Sequence, residues 1–323
     1  MKTTLNSLLL LAVAVQPVGA QVTLEEVGSI VLPSGFRPVG IAIGEENIVV
    51  WGAEEGSFVV VDDGWHVTEH RLEASRIRAV EWDGQYWQIV VDSGRALALS
   101  AAFEALRGDE IGEGTELSPQ ASAMWREGRW HILGVDSDGI LLLDEARVEG
   151  SASLGPLLGP ADHLWVRRAG EHWVVTRLFP PFWAAKVDPE NSRVLTQLEP
   201  LPLEYSVTDG RPPRWVAMPV IPLGSDGFLQ VVSDVQSNNR ILFRFSADGE
   251  IVGRTEFTSP LAFVASEENA RRLWAFRSLD RIELVEYTWH GVPAGRFDTH
   301  HTGVAWIRLG IAASSLVGGQ SMS

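Results

Sequence analysis

Charged side chains recur at one position of a repeating pattern in which the preceding residues are apolar. The residues at this position are Trp51, Asp92, Asp136, Arg177, Asp234 and Arg277, and five of these six are charged. Carboxylates and guanidinium groups gathered in one ring could bind a polar or zwitterionic ligand. They could instead pair with one another across the ring and only hold it closed, since structural ion pairs resemble binding sites.

Tryptophan spacing defines the elements that must carry these residues. Trp82, Trp125 and Trp165 lie 43 and 40 residues apart, and a second series lies 43 and 43 residues apart at Trp87, Trp130 and Trp173. Each segment has two apolar strands around a glycine turn. With a looser unit from Val216 and two more from Val39 and Leu261, six units of about four strands emerge. Periods of this size predict one six-bladed β-propeller over residues 21–310.

Closing such a ring requires a strand from each chain end. The segment Glu25–Pro33 is left over before the first unit and is predicted to form the outer strand of the last blade, beside Ile282–Tyr287. A second segment, Val304–Gly310, could compete for this role or begin a further blade. Residues 311–323 are small and polar and are predicted to be a flexible tail.

The stretch SNNRILFRFSADGEIVG, Ser237 to Gly253, shows the strand, tight turn and strand of one unit. Between Asn238 and Gly249 it resembles the repeats of NHL-repeat and TolB-like six-bladed propellers. A weaker form of the same pattern begins at Ser278. The resemblance implies the same architecture and implies no particular activity.

Strand direction predicts where the ring lies. Strands of a blade alternate in direction from the axis outward, so the ends of all second strands should lie on one face. The longest connection between units, Leu198–Arg214, falls on that face. Four prolines stiffen it, and it could hold Tyr205, Asp209, Arg211 and Arg214 over the ring or be an ordinary surface connection.

Most of the 13 tryptophans fall at repeat positions and are expected to pack between blades. Trp51 and Trp183 are off the main register near the ring and are candidates for stacking on a ligand.

Metal and catalytic motifs are weak. Calcium could bind the acidic turns Asp136–Gly139 and Asp234–Asn239, yet neither has a spaced series of ligands, so no cofactor is expected. Two arginines in the ring disfavour the axial metal of propeller lactonases and lyases. The function predicted is binding of a polar small molecule or a peptide at the axial face. The alternative is a hydrolase or lyase acting on a sugar or lactone there.

The net charge limits which partners are expected, and the N-terminal residues predict the compartment. The net charge of −16 disfavours nucleic acid and anionic membrane surfaces. Residues 1–20 combine Lys2, an apolar run from Leu8 to Val15 and small residues before Gln21, which predicts a cleaved signal peptide and a secreted or periplasmic protein. No later segment predicts a membrane span, and the absence of cysteine excludes disulfides and a lipid-bearing cysteine. A monomer is expected.

Overall fold

A computed structural model describes residues 23–93, 95–110, 122–135, 141–144, 149–150, 164–188, 191, 193–203, 214–237, 239–258, 260–267 and 271–290. The predicted signal peptide, the competing segment 304–310 and the predicted tail 311–323 lie outside these residues, as do Asp136, Tyr205, Asp209 and Arg211. Within the described residues, no helix is long and apolar enough to cross a membrane.

The described residues form antiparallel sheets that we number along the chain. Sheet 1 contains β2 (Pro38–Ile43), β3 (Asn47–Gly52), β4 (Ser57–Asp62) and β5 (Val67–Arg71). Sheet 2 contains β6 (Ile77–Trp82), β7 (Trp87–Val91), β8 (Arg95–Leu99) and β9 (Ala105–Glu110). Sheet 3 contains β10 (Ser122–Arg126), β11 (Arg129–Val135), β12 (Leu141–Asp144) and β13 (Glu149–Gly150).

The second half of the chain continues the pattern. Sheet 4 contains β14 (Leu164–Ala169), β15 (His172–Arg177), β16 (Trp183–Asp188) and β17 (Arg193–Gln197). Sheet 5 contains β18 (Trp215–Ala217), β19 (Ile221–Pro222), β20 (Phe228–Asp234), β21 (Arg240–Phe245) and β22 (Ile251–Phe257). Sheet 6 contains β23 (Leu261–Glu267), β24 (Arg272–Ser278), β25 (Ile282–His290) and the N-terminal strand β1 (Thr23–Val31).

Apolar residues on both sides of each middle strand explain how the sheets assemble. All five residues of β7 are buried, which a sheet with one solvated side would not require. Clusters of buried apolar residues lie between successive sheets, and one of them joins sheet 6 back to sheet 1 through Trp274 and Val50. Sheets packed face to face around a closed circuit are blades, so the predicted propeller arrangement of four-stranded antiparallel blades is confirmed.

Sheet 5 departs from the four-stranded pattern of the other sheets because its inner strand is interrupted. Pro219 lies between β18 and β19 and has no N–H to give to the ladder. The Met218 amide still donates to the Val231 carbonyl on β20, whereas the Val220 amide donates to the Thr176 hydroxyl on sheet 4. The interruption therefore replaces one bond of the ladder with a link between sheets 5 and 4.

Pairing between the chain's N-terminal strand and its last described strand is confirmed. β1 runs antiparallel to β25, with Glu25 opposite Thr288 and Ile30 opposite Leu284. A bulge between Glu26 and Gly28 interrupts the ladder. Because β25 also pairs with β24, β1 completes sheet 6 as its outer strand.

The structure confirms the prediction for one tryptophan series and corrects the alignment of the other. Trp87, Trp130 and Trp173 are each 2% exposed, so their predicted packing between blades is confirmed. The alignment of Trp165 with Trp82 and Trp125 is wrong. Trp82 and Trp125 lie opposite the second-series tryptophans of their own hairpins, whereas Trp165 lies opposite Thr176. Arg168 takes the position opposite Trp173, which places a charge where the other two sheets carry an indole.

Candidate functional site

A cavity of about 800 Å³ lies along the axis and is bordered by inner strands of every sheet. These strands neighbour one another in the cyclic order β2, β6, β10, β14, β19, β23 and back to β2. The charged residues that line the cavity are Glu45, Arg78, Glu81, Arg167, Arg168, Glu267 and Arg272. Four guanidinium groups and three carboxylates thus face a volume that would hold a small organic molecule or the end of a peptide.

Three of the four lining arginines have carboxylate partners. Arg78 forms a close ion pair with Asp92, which follows β7 of the same sheet. Arg272 lies 3.4 Å from Glu286 and 4.0 Å from Glu267. Burial raises the pKa of the Glu286 carboxyl, and the charge on Arg272 opposes that rise without cancelling it.

The third pair spans three sheets. Arg168 on β14 contacts Glu81 on β6 across the end of β10, and the Arg168 Nε also donates to the Gly170 carbonyl. Burial raises the pKa of the Glu81 carboxyl, although Arg168 and the backbone N–H of Trp125 both favour its charged form. The pair therefore ties sheets 2, 3 and 4 together at the cavity wall.

Arg167 is the lining arginine that lacks such a partner. It lies opposite Val174, on the side of β14 that packs against sheet 5, whereas Arg168 lies on the side facing sheet 3. Its Nη1 is buried and has no hydrogen-bond partner, and within the described residues no ion pair involves it. Burial lowers its pKa to about 10, so the guanidinium still carries its charge at neutral pH. An unpaired, half-buried cation favours an anion as its partner.

Aromatic groups supply the apolar part of the wall. Trp51, Trp82 and Trp165 all line the cavity. Trp51 lies over Gly40 on the neighbouring strand, where a Cβ atom would come within 2.2 Å of the Trp51 ring, so glycine is required there. The cavity therefore presents flat apolar surface next to charge.

Asp92 is not the only described ring candidate with a partner close by. Asp234 and Arg277 also have partners within or next to their own sheets. Asp234 is 1% exposed and accepts hydrogen bonds from Arg214, the Gln236 amide and the Ser237 hydroxyl. Burial acts to raise the pKa of Asp234, but these hydrogen bonds outweigh it and hold the pKa below its usual range. Both carboxylate oxygens are thus engaged, and the calcium site suggested for this turn stays a prediction that requires Arg214 to move.

Arg277 has two carboxylate partners in sheet 6. Its Nη1 lies 2.8 Å from Glu26 on β1, and its Nε lies 2.7 Å from Glu283 on β25. For Asp92, Asp234 and Arg277, pairing with other ring members is therefore wrong, because the partners come from strands of the same sheet or, for Asp234, from Arg214 just before β18.

The remaining candidates have separate positions. Arg177 is 8% exposed, its Nε has no hydrogen-bond partner, and it lies opposite Trp183. Arg214 is exposed and lies over the Trp215 ring at 5.1 Å. Of the described candidates, Trp51 alone lines the cavity. Convergence of the full ring stays a prediction, since Asp136, Tyr205 and Arg211 lie outside the described residues.

The repeat pattern did not predict Arg167, Arg168 and Glu81, because its recurrent charges lie at the ends of second strands and these residues lie on first strands. Their signal was the charged residues just before the first hairpin turn of a unit, as in WVRRAG from Trp165 to Gly170. Within the described residues, no three His, Cys, Asp or Glu side chains lie close enough together to hold a metal ion.

Some solved structures resemble this chain in fold but share little of its sequence. No protein-family model and no curated protein matches the sequence, so the NHL-repeat resemblance stays a prediction. BamB from Moraxella catarrhalis is 13% identical, with a TM-score of 0.42 over 87% of this chain and 99% of that one. The Cps50 (Swd1) β-propeller domain from Myceliophteria thermophila is 10% identical, with a TM-score of 0.44 over 82% of this chain and 99% of that one. The Dos1 propeller is 12% identical, with a TM-score of 0.36 over 79% of this chain and 69% of that one. Structural similarity at this identity and TM-score supports no conclusion about activity or partners.

Proposed function

We propose that the chain is an exported six-bladed propeller that binds a polar ligand through a carboxylate group at the axial cavity. The ligand is a small organic acid or the carboxylate-bearing end of a peptide. The observation that carries the proposal is Arg167, a cavity-lining cation for which the described residues supply no acceptor.

The energetics of Arg167 favour a carboxylate ligand. An ionised group that is removed from water without a partner destabilises the fold, and a paired, hydrogen-bonded ion does so much less. A planar carboxylate can accept two parallel hydrogen bonds from a guanidinium group, which adds geometric specificity to the attraction. The indole surfaces of Trp51, Trp82 and Trp165 would contact the apolar part of the same ligand.

A matched pair of variants tests the proposal. Purified protein would be titrated with a panel of small carboxylic acids and free tripeptides, each compared with its amide, and followed by thermal shift and calorimetry. At least one carboxylate should stabilise the wild type, by about 2.7 kcal/mol at a hundred times its Kd, and its amide should not. Arg167→Gln should lose this effect, and Arg95→Gln, an exposed site on β8, should retain it.

Two results would contradict the proposal. One is a panel in which no carboxylate stabilises the wild type. The other is equal affinity of a bound carboxylate for wild type and Arg167→Gln, because Arg167 would then have no part in recognition.

The proposal also includes the number of blades and the export of the protein. We take sheet 5 as a blade despite its interrupted inner strand, which gives six blades; an experimental structure with five would contradict this. We also take residues 1–20 as a cleaved signal peptide. Protein recovered after export should begin at Gln21 by mass spectrometry and should have the mass of a single chain by light scattering.

A further inference from the structure

The cavity wall contains one cation and one anion that have no partner among the described residues. Arg167 is the cation. Glu45 is the anion, since it lines the cavity, is exposed, and takes part in no ion pair within the described residues. The other lining carboxylates are Glu81 and Glu267, and each already lies near an arginine.

These two charges belong to opposite sides of the ring of inner strands. Glu45 directly follows β2, and Arg167 lies on β14. In the cyclic order of inner strands, β6 and β10 separate β2 from β14 in one direction, and β19 and β23 separate them in the other. Both residues also lie toward the hairpin turn of their inner strand, because Glu45 is in the β2–β3 turn and Arg167 is two residues before the end of β14.

Opposite unpaired charges facing one volume select a ligand that carries both. A ligand with only a carboxylate would be attracted to Arg167 and repelled by Glu45, whereas a ligand with only an ammonium group would meet the reverse. Resting on the proposed function, we infer that the axial cavity binds a zwitterion, with its carboxylate at Arg167 and its ammonium group at Glu45. Amino acids and short peptides with free termini have this chemistry.

The test uses one peptide library in three forms. A Gly-X-Gly tripeptide library, with X varied over the amino acids other than cysteine, is prepared with free termini, with the N-terminus acetylated, and with the C-terminus amidated. Each form is titrated against the full chain by thermal shift, and the best free peptide is then measured by calorimetry.

The expected result is binding of free peptides that both modifications weaken. Because an exposed ion pair contributes up to about 1 kcal/mol, acetylation or Glu45→Gln should weaken binding about fivefold. Arg167 is half-buried and so less screened than Glu45, and losing its partner should weaken binding roughly thirtyfold, so amidation or Arg167→Gln should have the larger effect. Glu46→Gln is the matched control, since Glu46 is exposed beside Glu45 and does not line the cavity; its affinity should equal that of the wild type.

The outcomes separate this inference from the proposed function. If acetylated peptides bind as tightly as free ones, or if Glu45→Gln has the affinity of Glu46→Gln, the zwitterion inference is wrong and carboxylate binding at Arg167 stands. If neither the tripeptides nor the panel of small acids binds the wild type, the proposed function fails and the inference fails with it.

Discussion

Arg277 is expected to hold the N-terminal strand in sheet 6, and Arg277→Met tests this role. The guanidinium group is 7% exposed and contacts Glu26 on β1 and Glu283 on β25, whose side chains are 39% and 20% exposed. Methionine keeps most of the side-chain volume but removes the charge and the hydrogen bonds, which leaves two carboxylates without their cation.

The magnitude follows from how well each carboxylate can return to water. Removing one partner of a fully buried ion pair costs about 3–5 kcal/mol. Glu26 is exposed enough to be rehydrated and Glu283 less so, so we expect a loss of about 2–4 kcal/mol in the free energy of unfolding. For a domain of about 300 residues, that loss lowers Tm by roughly 3–6 °C.

The assay combines thermal unfolding with amide hydrogen exchange. Arg281→Met is the control, because Arg281 is an exposed arginine in the same sheet. Exchange should accelerate most at β1, since its attachment is what the variant weakens. Adding Glu26→Gln and Glu283→Gln to Arg277→Met should recover part of the lost stability, because no orphaned charge would remain.

The reasoning would be refuted if Arg277→Met and Arg281→Met melted within about 1 °C of each other. It would also be refuted if exchange rose evenly over all sheets, since the ion pairs would then contribute nothing specific to β1.

Four further outcomes are expected. Arg167→Met should raise Tm in the absence of ligand, because it removes an unpaired, half-buried charge; an unchanged or lower Tm would mean that the charge is compensated. The raised pKa of Glu286 means that its neutral form favours the folded state below about pH 4.5, and that this contribution is lost as pH rises through the folded-state pKa. Glu286→Gln should therefore gain stability over the wild type at pH 7 but not at pH 4, and urea titrations at both pH values would measure the difference. The lowered pKa of Asp234 has the opposite sign, with stability present above its usual value of 3.8 and lost as pH falls, so Asp234→Asn should cost more at pH 7 than at pH 3. Removing residues 23–31 should leave β25 as an open edge and cause aggregation; a truncated chain that stays monomeric with an unchanged Tm would contradict the pairing.

The propeller could be predicted because packing between sheets imposes a repeated demand on the sequence. Trp87, Trp130 and Trp173 fill equivalent places between blades, so their spacing records the size of a blade. The closing strand could be predicted for a related reason, since a leftover apolar segment needs a partner and the last unit lacked one.

The partners of the charged residues could not be predicted from the repeat. Arg277 follows the repeat register, but Glu26 lies 251 residues away and belongs to no repeat position. Arg167 and Arg168 are adjacent in sequence, and a strand directs neighbouring side chains to opposite sides. One of them therefore reaches Glu81 and the other is left without a carboxylate, a difference that depends on which sheets lie to either side.

The pairing of β1 with β25 sets the order in which the protein can fold. The first described strand pairs with the last described strand, and 251 positions of sequence separate Glu26 from its partner Arg277. At ribosomal speeds of about 5–20 residues per second, β1 waits roughly 10–50 seconds before β25 exists. Sheets 1 to 5 can form from local hairpins during that interval, whereas sheet 6 can be completed only after β25 has been made. The circuit of sheets therefore has one late seam, between β1 and β25, and the hairpins of the other sheets can be in place before it closes.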